Sequence, residues 1–357
     1  MTSDPYASGL APEADHAWVG PMEGAPQLVE TFNLWLNDGP RGICINFGPH
    51  LRDGQDIAAA ASIFLPGGKI LRRQMGDQAR YDDPRKFGNQ YLTYECVEPF
   101  RRWIYRLDQV PMIVTSHDEM AHGAMRTDGP TALVSAEIHL TTRSPAWIMG
   151  ELVPEMKAQL AAMPGLWMGC RLRSGPSPLA RRYEQLAEAA GTITVDGETL
   201  AFNGTGMRAH VRGERELTGM PGHYWAAAVF PSGKGFAMVG YQEADGRTTY
   251  DEGHLWIDGV MHPARITAAP PMDRNPRSEP FAYDFTTAAH GTVRISGRDT
   301  ASFVWSQEGW KGIGAEQMKP VYGLIADAPL VMKQSPAAFT WDGETGWGMR
   351  EISGQLA

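Results

Sequence analysis

Three Asp-Gly dipeptides, each set against runs of strand-forming residues, constrain this chain more than any other feature. Asp196-Gly197 divides residues 192–195 from 199–202, Asp258-Gly259 divides 254–257 from 260–261, and Asp342-Gly343 follows 338–341. A two-residue hairpin turn that matches the strand twist needs positive φ at both central positions, which Asp and Gly tolerate. Another pair of apolar runs, 224–230 and 236–241, flanks the turn residues 231–235. The C-terminal half is therefore expected to be a succession of short antiparallel strands. Forty glycines and 26 prolines among 357 residues supply the turns such a chain needs.

Strand signals continue upstream at 32–36, 43–47, 62–65 and 131–141, most of them closed by Gly or Pro. Two stretches carry apolar residues at helical spacing, 154–163 and 179–190. Residues 1–25 are small, polar and rich in Pro and Gly, and read as a loosely held arm. Residues 150–178 read as the connection between two β-rich halves. The expected division is an arm over 1–25, a first domain over 26–175 and a second over 176–357.

Hydrophobic residues at 43% with 20% charged residues are enough to bury real cores. The net charge of −9 would repel phosphate backbones, so nucleic acid is not an expected partner. Cys44, Cys96 and Cys170 are odd in number and lack a C-x-x-C spacing, which predicts reduced, buried thiols and a cytoplasmic protein. The N-terminus shows no basic-then-apolar leader pattern, and no run of 18 apolar residues is present, so no transmembrane segment is expected. The oligomeric state stays open, a homodimer included.

Several motifs fail on context. Residues 204–209 match a relaxed dinucleotide fingerprint, but no apolar-faced helix follows and no βαβ unit surrounds it. His117 and His122 have the wrong spacing for one helical face. Glu137 and His139 would share one strand face, yet two ligands fall short of the three or four that a metal site uses. No metal and no cofactor are predicted.

Residues 204–225 carry the chemistry-bearing signal. Arg208, Arg212, Arg215, His210, His223, Glu214 and Glu216 fall within sixteen positions. On an extended chain Arg208, His210 and Arg212 point to one side. A carboxylate beside His210 would orient the ring and favour its charged form, whereas flanking cations would oppose it. Such a group can transfer protons in a cleft. A charged rim at a barrel mouth, with His210 merely hydrogen-bonded, explains the same pattern.

The segment resembles a signature of the form R-D-H-S-R-G-P-R-D followed by G-H-x-W, found in proteins similar to the carotenoid 1,2-hydratase family. Residues 91–103, with Tyr94-Glu95, Glu98-Pro99 and Trp103, resemble that family's L-x-Y-E-x-x-E-P strand. Arg182-Tyr183-Glu184-Gln185 is similar to its R-Y-E-Q, and residues 341–348 to its closing W-D-G-E-x-G-Y-G. The resemblance implies two tandem lipocalin-like antiparallel β-barrel or sandwich domains, mostly all-β, with a short connecting helix. It also places R-Y-E-Q on or just before a strand, against the helical spacing of 179–190. Ala209 stands where the signature has Asp, so either Glu216 replaces that carboxylate or the shared role is lost.

By the same resemblance, the function would be a cofactor-independent lyase or isomerase of the hydratase, dehydratase or cyclase type. The substrate would be a hydrophobic unsaturated molecule such as a terpenoid, steroid or aromatic compound. The alternative is a non-catalytic carrier of a hydrophobic ligand. The expected catalytic residues are His210, oriented by Glu216, with His223 in reserve. Arg208, Arg212 and Arg215 would position the substrate's polar group, and Trp103, Tyr105, Trp225, Tyr241 and Trp256 would shield a developing cation.

Overall fold

A computed structural model describes residues 4–17, 28–52, 56–78, 83–121, 129–162, 181–214, 222–243, 247–272, 279–306 and 331–354. The three Asp-Gly dipeptides are hairpin turns. Asp196, Asp258 and Asp342 have φ of 49°, 50° and 51°, and the glycines that follow them have φ of 89°, 78° and 77°. The strands on either side pair without interruption up to each turn, as Val195 with Glu198, Ile257 with Val260 and Trp341 with Glu344.

The first sheet is built from β1 (Leu28–Asp38), β2 (Ile43–Arg52), β3 (Asp56–Leu65), β4 (Lys69–Gln78), β5 (Lys86–Gly88), β6 (Leu92–Glu98), β7 (Arg102–Ser116), β8 (Thr131–Thr142), β9 (Trp147–Ile148), β10 (Arg181–Val195) and β11 (Glu198–Glu214). Its order is β4-β3-β2-β1-β11-β10-β8-β7-β6-β5, with β9 beside β10. Pairing of β4 with β7 closes eight of these strands into a barrel. The second sheet holds β12 (Gly222–Val229), β13 (Gly235–Gln242), β14 (Thr248–Ile257), β15 (Val260–Ala268), β16 (Phe281–Thr287), β17 (Gly291–Asp299), β18 (Phe303–Ser306), β19 (Val331–Trp341) and β20 (Glu344–Gly354). Its order is β17-β16-β15-β14-β13-β12-β20-β19-β18, and a β17–β19 pairing brings it back on itself. Among the described residues, two short α-helices join the strands, α1 (His117–Ala121) and α2 (Pro154–Ala162). The architecture is the tandem all-β, lipocalin-like arrangement that the resemblance implied.

Residues 181–190 lie on β10, so the helical spacing there is overridden by pairing on both flanks, to β8 and β11. The expected division at 175/176 lies outside the described residues. The sheets themselves change over between Glu214 and Gly222, because β10 and β11 complete the first barrel and not the second. Residues 4–17 of the expected loose arm are packed. They form two 3-10 turns, and Asp15 and Ala17 are buried.

Strand alternation decides which face each side chain takes. On β1, Phe32, Leu34 and Leu36 fill the first barrel while Trp35 faces outward; on β11, Met207, Ala209 and Val211 face outward. On β12, Trp225, Ala227 and Val229 face outward while Tyr224, Ala226 and Ala228 fill the second barrel. The two outward faces share one apolar cluster, so the barrels are packed together. Polar contacts cross the same junction: Asn37 Nδ2 donates to the Gly348 carbonyl at 2.9 Å and the Ala337 carbonyl at 3.3 Å. Gly39 lies directly against the Trp347 ring, with no room for a Cβ.

Candidate functional site

Two of the buried polar clusters among the described residues hold the expected site residues, one inside the first barrel and one between the barrels. Register builds the first. Phe32 of β1 sits opposite His210 of β11, which sits opposite Tyr183 of β10; Glu30 pairs with Arg212, and Arg208 with Gln185. All these side chains enter the same barrel interior, as strand alternation predicted for Arg208, His210 and Arg212. His210 Nε2 is 2.7 Å from Glu30 Oε1, and its Nδ1 is 2.7 Å from the Tyr183 hydroxyl. Its ring stacks on Phe32 with centroids 4.0 Å apart. Burial pushes the imidazole below its ordinary value, against the opposing pull of Glu30.

The arm closes this cluster. Asp15 accepts from Phe100 N at 2.5 Å, Trp103 Nε1 at 3.1 Å, the Tyr183 hydroxyl at 2.5 Å and Arg208 at 2.6 Å. Arg212 donates to Glu30 at 2.5 Å and to the His16 carbonyl at 3.1 Å. Arg208 also lies over the Trp103 ring, and Tyr105 packs beside Trp103. Thus both ring nitrogens of His210 are taken by protein groups, and its side chain is 2% exposed. The carboxylate in contact with His210 here is Glu30, 180 positions away; Glu216 and Arg215 lie outside the described residues, as do His122 and Cys170.

The second cluster lies where the barrels meet. Tyr250, Glu252, His254 and Trp256 alternate on one face of β14, and the ring of Tyr250 belongs to the apolar cluster between the barrels. Glu252 is fully buried. Its Oε1 accepts from Trp147 Nε1 at 2.9 Å and its Oε2 from Gly150 N at 2.7 Å and from the Tyr250 hydroxyl. Burial raises its carboxyl above the usual range, and the charge of nearby Glu184 adds to the rise; the three donors oppose it without cancelling it. Glu184 of β10 is itself buried, ion-paired to Arg182 at 2.5 Å and bonded by Trp225 Nε1 at 2.9 Å. Two carboxyls from different barrels therefore face a wall of Trp147, Trp225 and Tyr250. One has burial against its charge, and the other carries a guanidinium beside it.

The residues expected to act together are divided by the fold. His210, Arg208, Arg212, Trp103 and Tyr105 belong to the first cluster. His223, Trp225, Tyr241 and Trp256 belong to the junction, where His223 lies 3.1 Å from Ser353 Oγ and beside the Tyr241 ring. Ala209 faces the junction too, directly opposite Glu184 on the neighbouring strand. Glu184, which belongs to the R-Y-E-Q segment, therefore presents a carboxylate on the face that the signature's Asp position shares.

Asp15, Glu30, Tyr183, Trp147, Glu184 and Glu252 join the site only through the tertiary structure. Two of them lie in the R-Y-E-Q segment, and Glu252 lies in a strand alternating Tyr, Glu, His and Trp, which is a legible signal. Asp15 carries none.

Cys44 and Cys96 are buried free thiols. Among the described residues no group of three or more His, Cys, Asp or Glu is placed to hold a metal, and no helix is long and apolar enough to cross a membrane.

A family profile described as "Domain of unknown function (DUF7064)" matches residues 13–355. No curated protein matches the sequence. Among solved structures, an AttH candidate from Nitrosomonas europaea is similar over 99% of this chain and 100% of its own, at 15% identity and a TM-score of 0.59. CghA, solved with Sch210972, is similar over 100% of this chain and 98% of its own, at 10% identity and a TM-score of 0.53. Kievitone hydratase from Nectria haematococca aligns over 96% and 97% at 8% identity, with a TM-score of 0.48. The first two likenesses establish a shared fold.

Proposed function

The chain belongs to the DUF7064 family, a domain of unknown function, and from that premise we propose that it is a cofactor-independent lyase or isomerase with Glu252 as its proton donor. The substrate is a hydrophobic unsaturated small molecule held where the barrels meet. The observation that carries this reading is Glu252 itself: a fully buried carboxyl, set among aromatic rings, whose burial favours the protonated form. A carboxyl whose burial favours the protonated form can give its proton to a carbon–carbon double bond, which an ionised carboxylate cannot.

The step balances without a cofactor. The Glu252 proton bonds to one alkene carbon, the π pair forms that bond, and the other carbon becomes cationic. The faces of Trp147, Trp225 and Tyr250 and the Glu184 carboxylate stabilise the cation. Water then adds and yields a proton to a carboxylate, giving hydration; the reverse order is dehydration. Attack by a second alkene of the same molecule, followed by proton loss, gives cyclisation. Trp147 Nε1, Gly150 N and Tyr250 fix the carboxyl's orientation throughout.

In this reading the His210 cluster anchors the arm rather than reacting, because both its nitrogens are engaged inside the barrel. A carrier role is the second reading, favoured by the extent of apolar surface shared between the barrels. Incubation with unsaturated terpenoids, steroids and stilbenes in deuterium oxide distinguishes the two. Wild type should return at least one compound carrying carbon-bound deuterium, detected by mass spectrometry, and Glu252→Gln should return none. Binding without label in wild type would leave the carrier reading in place.

A further inference from the structure

His254 stands two residues from Glu252 on the same face of β14, about 7 Å along the strand by ordinary strand geometry. Its side chain has no solvent exposure. Neither ring nitrogen has a hydrogen-bond partner among the described residues. The Trp147 indole, whose Nε1 holds Glu252, meets the His254 ring edge-on with centroids 5.3 Å apart. One aromatic side chain therefore touches both the proposed acid and the unpartnered imidazole.

Buried polar groups are nearly always satisfied, and leaving one without a partner is costly. A leucine would fill the same strand position without that cost. Keeping an imidazole there makes sense when a group other than these described residues supplies the partner. We propose that His254 is a substrate-binding residue that hydrogen-bonds a neutral oxygen, a hydroxyl or carbonyl, on the hydrophobic molecule held between the barrels. This rests on the reading that the substrate lies beside Glu252.

The chemistry narrows the ligand further. Burial keeps the ring neutral, so it offers one donor and one acceptor and no net charge. A carboxylate ligand would meet no counter-ion at this ring, which burial holds neutral. A pure hydrocarbon would leave the imidazole as unsatisfied as before. An uncharged alcohol, phenol or ketone fits both conditions, with its oxygen roughly two strand residues from the carbon that Glu252 protonates.

The test uses three matched probes, farnesol, farnesene and farnesoic acid, titrated by tryptophan fluorescence against wild type, His254→Leu and Glu252→Gln. Wild type should bind farnesol roughly fivefold tighter than farnesene, the ratio one net hydrogen bond confers, and farnesoic acid weakest. His254→Leu should bind the alcohol and the hydrocarbon alike, and its melting temperature should not fall below wild type. Glu252→Gln should keep the preference for the alcohol. Equal binding of farnesol and farnesene by wild type overturns this inference and leaves the Glu252 reading standing. So does an unchanged preference in His254→Leu, or a clear loss of its thermal stability. Failure of wild type to bind any of the three overturns both.

Discussion

Truncating Asp15 to alanine is the sharpest test of what the N-terminal residues do. Asp15 is fully buried and accepts from Phe100 N, Trp103 Nε1, the Tyr183 hydroxyl and Arg208. Its removal leaves the Arg208 guanidinium, 2% exposed, with Gln185 Oε1 at 2.8 Å and the Trp103 ring face. Breaking a buried ion pair from one side costs about 3–5 kcal/mol, because the other charge stays buried without its counter-ion. Against a typical total of about 5–15 kcal/mol, that is a large fraction. Urea unfolding, followed by far-ultraviolet circular dichroism, should show Asp15→Ala losing that amount. The double variant Asp15→Ala/Arg208→Met should lose much less than the sum of the two single variants, since no orphan charge remains. A loss below about 1 kcal/mol for Asp15→Ala, or strict additivity in the double variant, would mean that the arm is held loosely and that the pair stabilises nothing.

Glu252→Gln should reduce turnover by about 10²- to 10⁴-fold, the usual loss for a general acid, with unchanged circular dichroism. Because the folded pKa of Glu252 is raised, the stability it contributes is complete below the ordinary carboxylate range and fades as pH rises through the folded value. Denaturation midpoints across pH 4–8 should lose that component in the glutamine variant. For His254 the folded pKa falls to about 3, so its contribution is present above the unfolded value of about 6.5 and fades as pH drops. His254→Leu should flatten the stability profile between pH 6 and 4 by up to about 1.4 kcal/mol per pH unit; an unchanged slope would refute its burial as a neutral ring. His210→Ala should lower the melting temperature through loss of the Glu30 and Tyr183 contacts. A variant as stable as wild type but inactive would move the chemistry into the first barrel. Gly39→Ala forces a Cβ into the Trp347 ring at the barrel junction and should cost about 1–3 kcal/mol, measured by thermal unfolding.

Much of this protein was legible from short stretches of chain. The Asp-Gly turns, the strands they join, helix α2 and the common face of Arg208, His210 and Arg212 all follow from rules that act between neighbours. Such rules include positive φ at two adjacent residues, two-residue alternation along a strand, and helical spacing. They operate whatever the rest of the chain does. The stretch over 179–190 marks their limit: its helical spacing yields to hydrogen bonding with β8 and β11 on its two flanks.

Partners distant in sequence were decided by tertiary structure. Tandem barrels bring Glu30 to His210, Asp15 to Arg208, Trp147 to Glu252 and Glu184 to Trp225, pairs separated by 180, 193, 105 and 41 positions. Alternation showed that Ala209 and His210 point to opposite faces, but not that one face would be the inside of a barrel and the other a junction with a second. The sequence by itself determined the strands, their turns and which side chains travel together. Closure of the sheets and the packing of one barrel against the other decided which of those faces met an acid, a base or an aromatic wall. A strand carries its alternation in its own residues, whereas its neighbours across a barrel are set by where every other strand has closed.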